Sequence, residues 1–97
     1  MFDAPQPIAE IAPSSLNPVV TADGLSMYFS QHDPSTNDDI VVSVRPNPSA
    51  PWGPPSVVAG VNTSATDRPG WVSQDRCRLY LTRNVASDTN IFVATRR

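Results

Sequence analysis

The sequence predicts an all-β fold made of two copies of one four-stranded unit. Three observations carry that reading. A tight turn feeding a short apolar strand, Ala22-Asp23-Gly24-Leu25-Ser26-Met27-Tyr28-Phe29-Ser30, recurs about fifty residues later as Gln74-Asp75-Arg76-Cys77-Arg78-Leu79-Tyr80-Leu81-Thr82. Each copy is followed, after a polar stretch, by a second strand of matching pattern, Ile40-Val41-Val42-Ser43-Val44-Arg45 and then Ile91-Phe92-Val93-Ala94-Thr95-Arg96. The prolines, eleven in 97 residues, leave no room for a helix between these strands.

Taken in order, residues 2–11 end a proline-rich approach with a strand candidate at Ile8, Glu10 and Ile11. Residues 52–61 share that grammar: an aromatic, small residues, a proline three positions on, and a β-branched ending. Pro18-Val19-Val20-Thr21 and its counterpart Pro69-Gly70-Trp71-Val72-Ser73 read as short strands started by proline, the second with one extra residue. Asp23-Gly24 is a hairpin signal, since Gly supplies positive φ. Asp75-Arg76 keeps the Asp and loses the Gly, so a different turn is expected there. Residues 31–39 and 83–90 read as loops, and Pro46, Pro48 and Pro51 as an extended, stiff connector.

The resulting division is an outer strand for an adjoining blade at 1–11, repeat one at 12–61, and repeat two at 62–97, which lacks its own outer strand. Four short strands at a period near fifty residues are the pattern of a β-propeller blade. Val19-Val20 and Trp71-Val72 are apolar on successive residues, as an inner strand sandwiched between blades requires.

At these residues the chain resembles the TolB-type propeller repeat, with its Pro-x-x-Ser-x-Asp-Gly turn, apolar-Tyr-Phe-Ser strand and Asp-Ile-Tyr-Val strand. Pro18, Thr21, Asp23, Gly24, Tyr28, Phe29, Ser30, Asp39 and Ile40 sit on the pattern in copy one; Pro69, Ser73, Asp75, Tyr80, Thr82, Asn90, Ile91 and Arg96 do in copy two. Departures include Arg76 for Gly, Leu81 for Phe and Asn90 for Asp. The resemblance implies a binding or scaffolding platform, an assembly module, or the non-catalytic domain of a larger hydrolase, in the periplasm or at the cell envelope.

Two blades cannot close a ring, so a six-bladed or eight-bladed propeller requires oligomerisation or the rest of a longer chain. In a head-to-tail ring, Ile8 to Ile11 of one chain would complete the blade of the next, and a cyclic homo-oligomer, a trimer first, is the expected partner state.

Charged residues are 16% of the chain and the net charge is −2, which gives no footprint for nucleic acid. No apolar run approaches the roughly 18 residues of a membrane span, and residues 1–5 lack the basic start of a signal peptide, so the chain as written reads as soluble, without membrane insertion. Cys77, alone, cannot form an intramolecular disulfide and reads as a small buried hydrophobe.

His32 is the only histidine, so no Ser-His-Asp or multi-histidine metal set forms within one chain, and no enzyme activity, metal or cofactor is assigned. Calcium at the acidic stretch 33–39 and a glycosidase carboxylate pair are the weaker readings. The binding surface is placed on two polar loops, at His32, Asp33, Asp38 and Asp39 and at Arg83, Asn84 and Asp88; the resemblance implies that Asp39 anchors its loop to backbone or to an arginine, by analogy Arg83. Proteins or glycans are the expected ligands, and Trp52 and Trp71 could wall a lectin-like pocket between blades.

Overall fold

The computed structural model describes residues 2–11, 15–33, 37–63, 65–85 and 88–96, with the side chains of Asp33, Asn37 and Val85 also outside the description. It is all-β, with no helix among the described residues. Strands β1 (Ser15–Val20), β2 (Ser26–Asp33), β3 (Asn37–Val44) and β4 (Ser56–Val57) form one antiparallel sheet in that order. Strands β5 (Thr66–Val72), β6 (Arg78–Val85) and β7 (Asp88–Thr95) form a second. The sheets are joined face to face, with β5 packed on β1, β2 and β3.

Alternation along the strands sorts the core. Tyr28 and Ile40 point from sheet one toward sheet two, where they meet Val72, Leu79 and Leu81, with Val19, Val42, Val58, Val61 and Ala94 around them. Met27, Phe29 and Val41 point the other way and are covered by Trp52 and Ile11. Arg45 lies over the Trp52 ring at 3.9 Å, and the Gly53 N–H donates to the Val44 carbonyl at 2.9 Å. A Cβ on Gly53 would meet that carbonyl oxygen at 3.0 Å, so a glycine lets the Trp52 segment lie this close to the strand end.

The two sheets repeat each other in register. Val20 faces Met27 and Val19 faces Tyr28, as Val72 faces Leu79 and Trp71 faces Tyr80. Tyr28 faces Val42 and Phe29 faces Val41, as Tyr80 faces Val93 and Leu81 faces Phe92. The extra residue expected in the second copy is not an insertion, because both inner strands carry a register shift at the same place, between Leu16 and Val19 and between Pro69 and Trp71. Gly70 stands where Pro18 does, and Asn17, at φ 55°, where Pro69 does.

Three further expectations are corrected. The turn at Asp75-Arg76 is the same turn as at Asp23-Gly24, not a different one. Thr21 and Ser73 each accept the closing N–H on carbonyl oxygen, from Gly24 and Arg76, both at 2.9 Å. Their hydroxyls donate to Asp23 and Asp75, which in turn accept the Leu25 and Cys77 N–H groups. This side-chain scaffold holds Arg76 at φ 62° beside Gly24 at 75°, outweighing the steric preference of a Cβ. The supposed loops are largely strand, since the ladder continues through Gln31–Asp39, His32–Asp38 and Asp33–Asn37, and likewise through Arg83–Asn90, Asn84–Thr89 and Val85–Asp88. The connector after β3 folds into a turn rather than extending, because Asn47 accepts the Ser49 N–H on its side chain and the Ala50 N–H on its carbonyl.

Residues 8–11 form no strand within the single chain. The Ile11 N–H bonds back to the Ile8 carbonyl, and every residue from Phe2 to Glu10 is exposed.

Candidate functional site

The β2–β3 hairpin end, the start of β5 and the β6–β7 hairpin end lie at one end of the two sheets, and most of the polar side chains of the chain's candidate site gather there. His32 and Asp38 face each other across β2 and β3, with Nδ1 3.1 Å from Oδ1. Arg68, from β5, donates Nε and an Nη to the other Asp38 oxygen at 3.2 and 3.0 Å. Asp38 is thereby buried under two partners, while the His32 side chain stays 55% exposed. Burial pushes the Asp38 carboxyl up, but hydrogen bonds from His32 and Arg68 outweigh it and hold the group below the usual carboxylate range.

Beside this cluster Asp67 is fully buried. Arg83, its cross-strand neighbour on β6, donates Nε to Asp67 Oδ1 at 2.6 Å and an Nη to the Val61 carbonyl at 2.8 Å. The second Asp67 oxygen accepts the N–H and hydroxyl of Thr63. Its carbonyl accepts the Ser30 hydroxyl from sheet one at 3.0 Å. The saturated carboxylate ties β5 to β6 and to the incoming segment, and the backbone carbonyl of the same residue ties it to sheet one.

The candidate residues therefore divide. His32 and Asp38 are brought together with Arg68. Arg83 is directed to Asp67 instead of Asp39. Asp39 is half-buried one position along β3, so it projects to the opposite face from Asp38, and the two carboxylates do not converge. Asn84 and Asp88 are exposed at the end of sheet two, where Asn84 lines a shallow recess of about 140 Å³ with Thr66, Arg68, Thr82 and Thr89. The Asp33 side chain lies outside the described residues, as do residues 34–36 of the acidic stretch. Among the described residues no group of three or more His, Cys, Asp or Glu could hold a metal ion.

The His32–Asp38–Arg68 cluster presents a half-exposed imidazole held by a buried, ion-paired carboxylate. Ser30 lies on the same face of β2 as His32, but it is 1% exposed and its hydroxyl is given to Asp67. Cys77, half-buried, lies just before β6 at the other end of the sheet.

Sequence reasoning missed Asp67, Thr63 and Arg68, and also Asn62. The Asn62 side chain accepts the Ile40 N–H at 2.6 Å and donates to the Ile40 and Val58 carbonyls at 3.0 and 3.2 Å. The polar run Asn62-Thr63-Ser64-Ala65-Thr66-Asp67 at the junction of the repeats was the available signal.

A second feature lies between the sheets toward the other end. A cavity of about 270 Å³ is walled by Tyr28, Val72, Leu79 and Ala94, with Cys77 and Arg96 beside them. Comparison of the chain with family models, with curated proteins and with solved structures finds no match. No helix among the described residues is long and apolar enough to cross a membrane.

Proposed function

We propose that the chain is a non-enzymatic β-propeller module of the TolB-like kind, acting as a binding or scaffolding platform whose blades are completed by further copies of the chain, three chains making six blades. One observation carries this reading. Val19, Tyr28, Ile40 and Val42 form the face of sheet one that sheet two covers. Their register equivalents in sheet two are Trp71, Tyr80, Ile91 and Val93, which are 54%, 37%, 78% and 51% exposed. Trp71 and Tyr80 pack ring against ring at 5.6 Å, so this is a continuous apolar surface rather than scattered residues. A repeat whose face is built to be covered in one copy needs a cover in the other as well.

The ligand surface in this reading is the polar end, with exposed His32, Asn84 and Asp88 around the anchored Asp38–Arg68 pair. Light scattering coupled to size exclusion tests the assembly. Three protomer masses, or four for an eight-bladed ring, are expected; a monomer across the micromolar range would overturn self-completion.

A further inference from the structure

The repeat supplies its own template for what completes sheet two. In sheet one, the segment after the connector adds β4 to the outer edge of β3, pairing Val57 with Val41 and Ser56 with Val42. The Val58 N–H continues the ladder to the Ile40 carbonyl at 3.1 Å. Just before β4, Trp52 seats on Met27, Phe29 and Val41 under the Arg45 guanidinium. Just after it, Val61 crosses to pack on the face of sheet two.

Sheet two has the same seat, open. The equivalents of Met27 and Arg45 are Leu79 and Arg96, and both line the 270 Å³ cavity. The backbone matches too: Arg96 N–H donates to the Cys77 carbonyl at 2.7 Å, as Arg45 N–H does to Leu25 at 3.0 Å. The outer edge of β7 pairs with no strand among the described residues. A cavity of roughly 150 Å³ is enough to hold a benzene ring.

The segment that matches 52–61 elsewhere in the chain is 2–11, in which Phe2 stands for Trp52, Ile8 for Val58 and Ile11 for Val61. Ile11 already does what Val61 does, packing on the Met27 and Phe29 face of the sheet that follows it. The residues before it are exposed, Phe2 fully and Ile8 by 45%. The arm also carries Asp3 and Glu10 and no cation, complementing Arg76 and Arg96 at the cavity. Ile11 is fixed on the far face of sheet one, so the arm that reaches a β7 edge in the template's geometry belongs to another copy.

We infer that residues 2–8 of a second copy add to the outer edge of β7, continuing the interface that β4 makes with β3, and seat Phe2 in the cavity between the sheets. This rests on the self-assembly part of the proposed function and names the segment and the seat. The contact is heterologous, arm to edge, the kind that builds a ring when its rotation closes.

The test uses the full chain with a second thiol. Phe2→Cys places a sulfur at the seat beside Cys77, the only native cysteine, and the products of a thiol oxidant are read on a non-reducing gel. Disulfide-linked chains, several-fold above an Ala50→Cys control, are expected. An intramolecular disulfide without linked chains, or linkage no greater than the control, would overturn the inference. Phe2→Ala should raise the protomer concentration for half-assembly at least tenfold, with the circular dichroism of the wild type. If the wild type assembles and Phe2→Ala assembles equally well, the arm contact falls and self-assembly through the Trp71 face stands. If the wild type is monomeric throughout, both fall together.

Discussion

Arg76 Nη1 lies 3.6 Å from Asp23 Oδ2, so the turn of the second sheet reaches the equivalent turn of the first. Arg76, which stands where the first copy has Gly24, is the residue that makes this contact. Both side chains are more than a third exposed, and solvent screening leaves an exposed pair of this kind little weight. The left-handed backbone that Arg76 adopts costs about 1 kcal/mol or more in a residue with a Cβ.

From that balance, Arg76→Gly should raise stability by about 0.5 kcal/mol, the relieved backbone exceeding the lost ion pair and the added freedom of the unfolded chain. Gly24→Ala, at φ 75° in the same turn, should lower it by about 1 kcal/mol. Urea midpoints of the two variants check the pair. A destabilised Arg76→Gly would mean that the bridge between the turns outweighs the strain.

Arg83 and Arg68 predict losses of different size although both bind an aspartate. Asp67 is fully buried, and removing Arg83 leaves its charge uncompensated, so Arg83→Ala should cost about 3 kcal/mol. Arg68 is 42% exposed and Asp38 keeps His32 as a partner, so Arg68→Ala should cost about 1 kcal/mol or less. Thermal unfolding separates them: a drop of more than about 10 °C is expected for the first and of a few degrees for the second.

Acid should weaken the fold in a defined window. Asp23 and Asp75 are lowered first by the Thr21 and Ser73 hydroxyls and then by the Leu25 and Cys77 N–H groups. Asp38 is raised by burial but lowered on balance by His32 and Arg68. A carboxyl whose folded pKa is depressed stabilises the protein above its ordinary value of 3.8 and loses that contribution as pH falls through the lower, folded value. Urea midpoints should therefore drop between about pH 5 and pH 2, and the triple variant Asp23→Asn, Asp38→Asn, Asp75→Asn should show a flatter profile.

What the sequence made legible was whatever a short window specifies. The alternation in Met27-Tyr28-Phe29-Ser30 and Ile40-Val41-Val42, and the Thr-x-Asp and Ser-x-Asp turns, locate the strands and their repetition. Polar composition misled at His32 and Asp38, because hairpin ladders continue through polar pairs once the two strands are in register. The Asp67–Arg83 pair was not legible at all, since it depends on the register of β5 against β6, which a shift between Pro69 and Trp71 resets. Arg76 shows the same limit, because its backbone is set by hydrogen bonds from neighbours rather than by its own preference.

Asn62 offers a test of how the edge of β3 is closed. β4 is only two residues long; beyond it the Val58 N–H continues the ladder to the Ile40 carbonyl, and a side chain supplies the partner of the Ile40 N–H. The Asn62 amide oxygen accepts the Ile40 N–H in place of a backbone carbonyl, and its nitrogen donates to the Ile40 carbonyl beside the Val58 N–H. Ile40 is fully buried, so water cannot replace these bonds without opening the core. Asn62→Ala should cost about 1 to 3 kcal/mol, the desolvation penalty of a buried N–H left without an acceptor. Asn62→Asp keeps the acceptor for the Ile40 N–H but turns the donor toward the Ile40 and Val58 carbonyls into a second acceptor, and should be no better. Hydrogen exchange at the Ile40 amide reads the site directly: protection should fall at least tenfold in Asn62→Ala while the Tyr28 amide, inside the sheet, follows only the global loss of stability. Unchanged protection at Ile40 would mean that β4 alone closes the edge.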